Sequence, residues 1–152
     1  MTRIVRASPG QRETVLALVE RLLKELEDRP NEFEGIDRNQ VLQAWREVDA
    51  KFTAFLALAP SGEAVGVATL MEVFAIYAGG WYGVIDEMYV APEYRSQGVG
   101  RQLLEAVKGH GRARGWMRLD VTAPPEKKWE RTVAFYEQQG FVFTGPKLRL
   151  RL

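Results

Sequence analysis

Apolar residues change their spacing along this chain, and the changes mark out its elements. Residues 2–7 read as a short strand. Val15, Val19, Leu22 and Leu26 then recur every three or four positions, with Leu18 and Leu23 beside them, which is the period of an amphipathic helix. Ser8 suits its N-cap, Pro9 the first helical position and Gln11 the far side of a capping box. The helix is expected to run to about Glu27, followed by a polar, acidic loop over 25–37 that holds Pro30 and Gly35. Asp37 and Gln40 can cap a second helix carrying Val41, Leu42, Trp45 and Val48. The pattern next turns β-like, with strands over 52–59, 64–77 and 81–90, separated by turns at 60–63 and 78–80.

A helix is predicted over 99–114, stopped by Gly115. Met117, Leu119 and Val121 alternate with Arg118, Asp120 and Thr122, as in a half-buried strand. Pro124 and Pro125 break the chain, and 126–139 forms a helix with Trp129, Val133 and Tyr136 on one side, ending at Gly140. Residues 141–144 and 147–152 are expected to be final strands, split by Gly145 and Pro146. The order β-α-α-β-β-β-α-β-α-β-β indicates a mixed α/β layer structure. With no repeat, low-complexity tract or linker, residues 1–152 read as a single domain.

Composition narrows the classes. A net charge of +1 gives no bulk attraction to nucleic acid or to an anionic membrane. Absence of cysteine removes disulfides, a thiolate nucleophile and cysteine metal sites, and His110 as the lone histidine argues against a zinc centre, so no metal is expected. No stretch has the length and apolarity of a signal peptide or membrane span. A cytoplasmic enzyme or binding domain is the expectation.

The chemistry concentrates in Arg95-Ser96-Gln97-Gly98-Val99-Gly100, between an apolar strand and a helix start. A glycine-bearing turn there presents backbone N–H groups without intrahelical partners, at the positive end of the helix dipole. Such a site suits a phosphate group, although a tight turn alone also explains the glycines. No Gly-Lys-Ser/Thr follows, so it is not a Walker loop, and a third glycine for a dinucleotide fingerprint is missing. Asp86 and Glu87 interrupt the preceding strand. Adjacent strand residues point to opposite faces, so at most one is expected to face a given site. A partly buried carboxylate there has its pKa raised and can accept a proton; the alternative is a solvated or arginine-paired acid.

Arg95-x-x-Gly98-x-Gly100 after an apolar strand, with Tyr136 and Gly140-Phe141 near the chain's end, resembles the GCN5-related N-acetyltransferase (GNAT) family. The element order fits over nearly the whole chain. The resemblance implies a mixed, mostly antiparallel central sheet flanked by helices, and acetyl-CoA as co-substrate. It assigns the pyrophosphate to the amides of Ser96, Gln97, Gly98, Val99, Gly100 and Arg101, with Arg95 either adding charge or lying along the surface. It assigns the pantetheine arm to the main chain of Met88, Tyr89 and Val90, and polarisation of the acetyl carbonyl to the Val90 N–H. Asp86 is the first choice as base, Glu87 the second, and Tyr136 is placed to protonate the leaving thiolate, although helical spacing would equally bury it in the core. Trp129 stands where family members often have an asparagine that contacts CoA, so that contact is not expected in its usual form.

Other residues read as structural. His110 continues the stripe of Val99, Leu103 and Ala106. Lys147, Arg149 and Arg151 alternate with Leu148, Leu150 and Leu152, as on a protected edge strand. For the acceptor, Glu25, Glu27, Asp28, Glu32, Glu34 and Asp37 make an acidic rim, and Phe74, Tyr77, Trp81 and Tyr82 offer a wall of rings for a cation. A solvated loop and an ordinary sheet face explain them as well. The expected acceptor is a small cationic amine such as a polyamine or amino sugar, with a protein lysine or N-terminus as the alternative. A homodimer is compatible with all of this. The rival reading is a CoA-binding sensor or interaction module without catalysis.

Overall fold

The computed structural model describes residues 1–26, 36–123 and 129–152. Its strands are β1 (Arg3–Arg6), β2 (Phe52–Leu58), β3 (Ala64–Ala75), β4 (Gly80–Val90) and β5 (Leu119–Val121), and its helices α1 (Arg12–Glu25), α2 (Arg38–Val48), α3 (Val99–Arg114) and α4 (Glu130–Gln138). The strands form one sheet in the order β1-β2-β3-β4-β5. Neighbours are antiparallel except β4 and β5, which run parallel. This is the mixed, mostly antiparallel sheet that the resemblance implies.

Local chemistry explains most boundaries. The Ser8 N–H donates to Gln11 Oε1 at 3.0 Å, but the first turn, Pro9–Gln11, is a 3-10 helix and α1 begins at Arg12. Asp37 caps α2 by accepting from the Asn39 and Gln40 N–H groups at 2.8 and 3.1 Å. Of the apolar stripe expected on α2, only Trp45 is buried, its ring edge-on to Phe52 at 5.0 Å. Val41 and Val48 remain exposed. Gly115, at φ 75°, ends α3 in the left-handed conformation.

Leu56, Val65, Val67 and Leu70 of the sheet pack with Val15 and Leu18 of α1 and Leu103, Leu104 and Val107 of α3. Arg21 of α1 lies over the Tyr89 ring, whereas Gly100 and Phe135 lie beside Val90. Adjacent strand residues face opposite ways, so α1 covers one face of β4 and α3 with α4 the other. Among the described residues no helix is long and apolar enough to cross a membrane.

The chain end corrects the sequence reading. No strand forms over 141–152. Phe141 packs against the core, but Val142, Phe143, Leu148, Leu150 and Leu152 are all exposed. Alternation meets the local requirement for a strand, but a strand also needs a paired neighbour and a face to bury; among the described residues this segment pairs with no strand, and its leucines stay exposed.

Candidate active site

β4 is paired along its whole length by β3 on one side. On the other side β5 pairs only with Gly83, Val84 and Ile85. From Asp86 to Val90, β4 has no strand partner on that side among the described residues. Main chain from Met88 to Val90 thus borders a split in the sheet, with the N–H and C=O groups of Met88 and Val90 alternating away from β3, so that an extended, amide-bearing chain can be added.

A β-bulge sits where the split begins. Ile85 pairs with Leu70 and Glu87 with Thr69, leaving Asp86 as the extra residue. A bulge twists the strand and re-aims side chains, so the strict alternation assumed for Asp86 and Glu87 is broken here. The Thr69 hydroxyl accepts from the Glu87 N–H at 3.1 Å and donates to Glu87 Oε2. One buried hydroxyl thereby pins both the backbone and the carboxylate of Glu87.

The two carboxyl groups differ in their surroundings. Asp86 is exposed, yet the atoms crowded around its carboxyl group desolvate it enough to raise its pKa, and the charge of Lys147 partly offsets this. Glu87 is half-buried; desolvation raises its pKa and the nearby charge of Asp86 adds to it, against the hydrogen bond from Thr69. Both are moved toward the range in which a carboxylate can take a proton near neutrality.

Tyr136 of α4 reaches the same strand. It is buried, its hydroxyl donates to Met88 Sδ at 3.6 Å, and Phe135 and Phe141 stand edge-on to its ring at 5.3 and 5.4 Å. Burial pushes its pKa up to about 12, so the phenol holds its proton at any physiological pH. It is at once a core residue and a protonated phenol beside the open half of β4.

Beyond β4, a 3-10 turn (Pro92–Tyr94) leads into the glycine loop. Ser96 and Gly98 both have positive φ, 60° and 82°. The Gly98 position is spatially open, so backbone conformation alone calls for glycine there. A Cβ on Gly100 would stand 3.5 Å from Phe135 Cζ, an ordinary contact, so internal packing does not demand glycine at 100. Helix α3 has Gly98 at its N-cap, which has no side chain to cap it, and none caps it among the described residues. Its first N–H groups and dipole are therefore left to a ligand or to solvent, which fits a diphosphate. The Gln97 side chain ties the loop back by donating to the Glu93 carbonyl at 2.9 Å.

The Arg95 side chain is already engaged. Its Nε donates to the Val90 carbonyl at 2.8 Å, a terminal nitrogen donates to Glu25 Oε1 at 2.6 Å, and its guanidinium lies 5.5 Å from the Tyr89 ring centre. The aromatic wall is also partly covered from within. Lys51 Nζ lies 3.8 Å from the Trp81 ring centre, and the Arg118 guanidinium lies 5.0 Å from those of Tyr77 and Tyr82. Of the acidic rim, Glu25 pairs with Arg95 and Asp37 caps α2, while Glu27, Asp28, Glu32 and Glu34 fall outside the described residues. So do 124–128, including Lys127 and Lys128; Trp129 occupies the N-cap position of α4. His110 sits edge-on to Phe55 and Trp116 at 5.9 and 5.3 Å, and burial lowers its pKa, as befits a neutral structural residue.

Two features went unnoticed in the sequence. One is Thr69. The other is Glu72, only 6% exposed, which accepts from Arg114 at 2.8 and 2.6 Å and from Trp116 Nε1 at 2.5 Å, with Lys51 Nζ 3.7 Å away. The hydrogen bonds from Arg114 lead in lowering its pKa to about 2. Glu72 is screened from water by the side chains that bind it rather than by deep burial, since Arg114 and Lys51 are themselves half exposed. A lone acid in the apolar run of β3 was the available signal.

Comparison with known proteins agrees with this geometry. Residues 19–141 match the model of the Acetyltransferase (GNAT) family. An IAA acetyltransferase of Azospirillum brasilense is 32% identical over 145 residues, covering 94% of this chain and 86% of the relative. Among solved structures, an aminoglycoside acetyltransferase from an uncultured soil metagenomic sample superposes with a TM-score of 0.81 at 24% identity, over 100% of this chain and 99% of the other. A ribosomal-protein-alanine N-acetyltransferase from Brucella melitensis biovar Abortus 2308 gives 0.78 at 19% identity, over 99% of each chain. With the split sheet, the uncapped amide loop and the family match in agreement, the chain belongs to the GNAT family and is an acetyl-CoA-dependent acetyltransferase.

Proposed function

We propose that this protein moves the acetyl group of acetyl-CoA directly to the nitrogen of a small cationic amine. Acetyl-CoA supplies an activated thioester. The amides of Ser96, Gln97, Gly98, Val99, Gly100 and Arg101 hold its pyrophosphate, and the main chain of Met88, Tyr89 and Val90 orients its pantetheine arm. Asp86 removes a proton from the ammonium form of the acceptor, directly or through water, with Glu87 as the second candidate. The free amine forms the new C–N bond as the C–S bond breaks, and the second proton that the nitrogen then sheds passes to solvent, which restores the proton that Tyr136 gives to sulfur. The Val90 N–H polarises the acetyl carbonyl. Tyr136 supplies a proton to the departing sulfur, a modest contribution given how firmly a buried phenol holds its proton.

One observation carries this reading: β4 parts from β5 at the residue where the bulge presents Asp86, and the same strand runs on into the amide loop. Proton acceptor, extended-chain groove and anion site thus follow one another along a single stretch of chain. The two carboxyl groups favour a cationic acceptor over a neutral one. The aromatic hairpin adds little support, because Lys51 and Arg118 already lie against its rings.

The test is a panel of acceptors with acetyl-CoA, following free CoA. It holds polyamines, amino sugars including aminoglycosides, amino acids, IAA and basic peptides. Turnover confined to small amines supports the reading. Turnover confined to peptides assigns a protein lysine or N-terminal acceptor instead. Tight acetyl-CoA binding without turnover on any acceptor favours a sensor.

A further inference from the structure

We propose that Arg95 is a positioning strut for the acetyl-CoA site and not a phosphate ligand. This rests on the reading that the loop amides hold the pyrophosphate, and it assigns the loop's cationic residue a different task.

Three chain ends meet at Arg95. Val90 is the last residue of β4, Glu25 is the last residue of α1, and Arg95 leads into the positive-φ turn at Ser96. The Arg95 Nε–H binds the Val90 carbonyl at 2.8 Å, and its terminal nitrogen binds Glu25 at 2.6 Å, across 70 positions of sequence. The Tyr89 ring, 4% exposed, has the Arg95 guanidinium 5.5 Å from its centre and that of Arg21, from α1, 5.3 Å away. A planar fork can bond at two edges while its face lies against a ring; a lysine cannot do both.

The consequence for the site is mechanical. Ser96 is a non-glycine residue in a sparsely populated conformation, which persists only when its surroundings hold it. Arg95 holds it from the preceding residue, using main chain that also borders the split. The phosphate-facing amides therefore stay aimed through contacts made away from the phosphate, and the carboxylate of Glu25 neutralises the guanidinium that would otherwise be offered to an anion.

The two roles predict opposite effects at Glu25. Acetyl-CoA KM and kcat are measured, with acetyl-CoA Kd by calorimetry and Tm, for wild type, Glu25→Gln, Arg95→Gln, Arg95→Lys and the double variant Glu25→Gln/Arg95→Gln. For a strut, Glu25→Gln raises KM and Kd about three- to tenfold, with kcat within about twofold. Arg95→Gln does the same or somewhat more, Arg95→Lys fails to rescue it, and the double variant is no worse than Arg95→Gln alone. A phosphate ligand would instead be freed by Glu25→Gln, leaving KM unchanged or lower, and only the Arg95 variants would bind weakly. That result overturns the proposal. So does a fall in Tm with KM unmoved, which would make the contact merely structural. Absence of acetyl-CoA binding by wild type would overturn the cofactor reading, and this proposal with it.

Discussion

The two halves of β4 differ in what lies beside them. From Gly80 to Ile85 the strand belongs to a closed region. β5 pairs with its Gly83, Val84 and Ile85, the Met117 N–H donates to the Trp81 carbonyl at 3.2 Å, and Trp116 lies so close over Gly83 that a Cβ there would stand 2.2 Å from Trp116 Cζ3. The same indole faces Gly111 of α3, at 2.8 Å from where its Cβ would be, and donates to Glu72. From Asp86 to Val90 the strand loses its β5 neighbour, gains a bulge and runs into a loop whose amides no side chain caps among the described residues. A strand satisfied on both edges has nothing left for a ligand. A strand satisfied on one edge has a row of donors and acceptors to offer. The closed half is held from both sides, and the open half leaves main-chain groups without a strand partner, among the described residues, where pairing stops.

Substitutions at the two halves should therefore separate activity from stability. The largest effect is expected at the bulge. Asp86→Asn should lower kcat by about 10²- to 10³-fold with little change in Tm, Glu87→Gln should cost less, and Tyr136→Phe about tenfold. The pKa of Asp86 is raised, so activity should fall as pH drops through that raised value, and Asp86→Asn should remove this acid limb. Unchanged turnover in all three variants would remove the proposed chemistry while leaving the fold intact.

In the closed half, Gly83→Ala should destabilise by about 2–3 kcal/mol or prevent folding, because a rigid indole must move to admit the methyl group. Gly111→Ala should do the same to a lesser degree. Denaturant melts of both decide this; a neutral Gly83→Ala would mean that Trp116 is not fixed there.

Glu72→Gln should cost about 1–2 kcal/mol through weakened charge-assisted hydrogen bonds, an effect moderated by the half-exposed Arg114 and Lys51. Its pKa is about 2 when folded against an ordinary 4.5. The stabilisation is thus present above about pH 4.5 and lost as pH falls toward 2, where the wild type and Glu72→Gln curves should converge. Curves that stay parallel through this window would contradict the assignment.

The smallest effect is expected at Thr69. Thr69→Val removes the donor to Glu87, so the Glu87 pKa should rise further and any acid limb it controls should move to higher pH, whereas Thr69→Ser keeps the bond. A profile identical in all three proteins would show that Glu87 does not titrate in turnover.

This contrast also explains what could be read from the chain alone. The Arg95–Gly100 turn was legible because its chemistry is main-chain and local: glycines, a strand before it and a helix after it. The elements up to α3 were legible for the same reason, through caps such as Asp37 and stops such as Gly115. The bulge was not, because it exists only as a register between Thr69 and Glu87 on different strands. Nor was the Glu72 cluster, whose members come from β3, the end of α3 and the second residue beyond it, 42 and 44 positions from Glu72. The final strands were over-read because alternation says which face would be buried but not what would cover it. For Arg95 the sequence leaves open added charge at a phosphate or a place along the surface, whereas its partners, Glu25 and the Val90 carbonyl, become visible only once α1 is packed against β4.

The most direct test is isothermal titration of acetyl-CoA into wild type and into Gly98→Val. Valine at Gly98 would have to adopt a φ of 82° that a β-branched residue resists, in a position otherwise open, so the amide loop is altered without crowding the core. Wild type should show saturable one-site binding, lost in a variant that melts at nearly the same temperature. Equal affinity in the two proteins, or no uptake by wild type, would contradict the assignment of this loop as the anion-gripping end of the site.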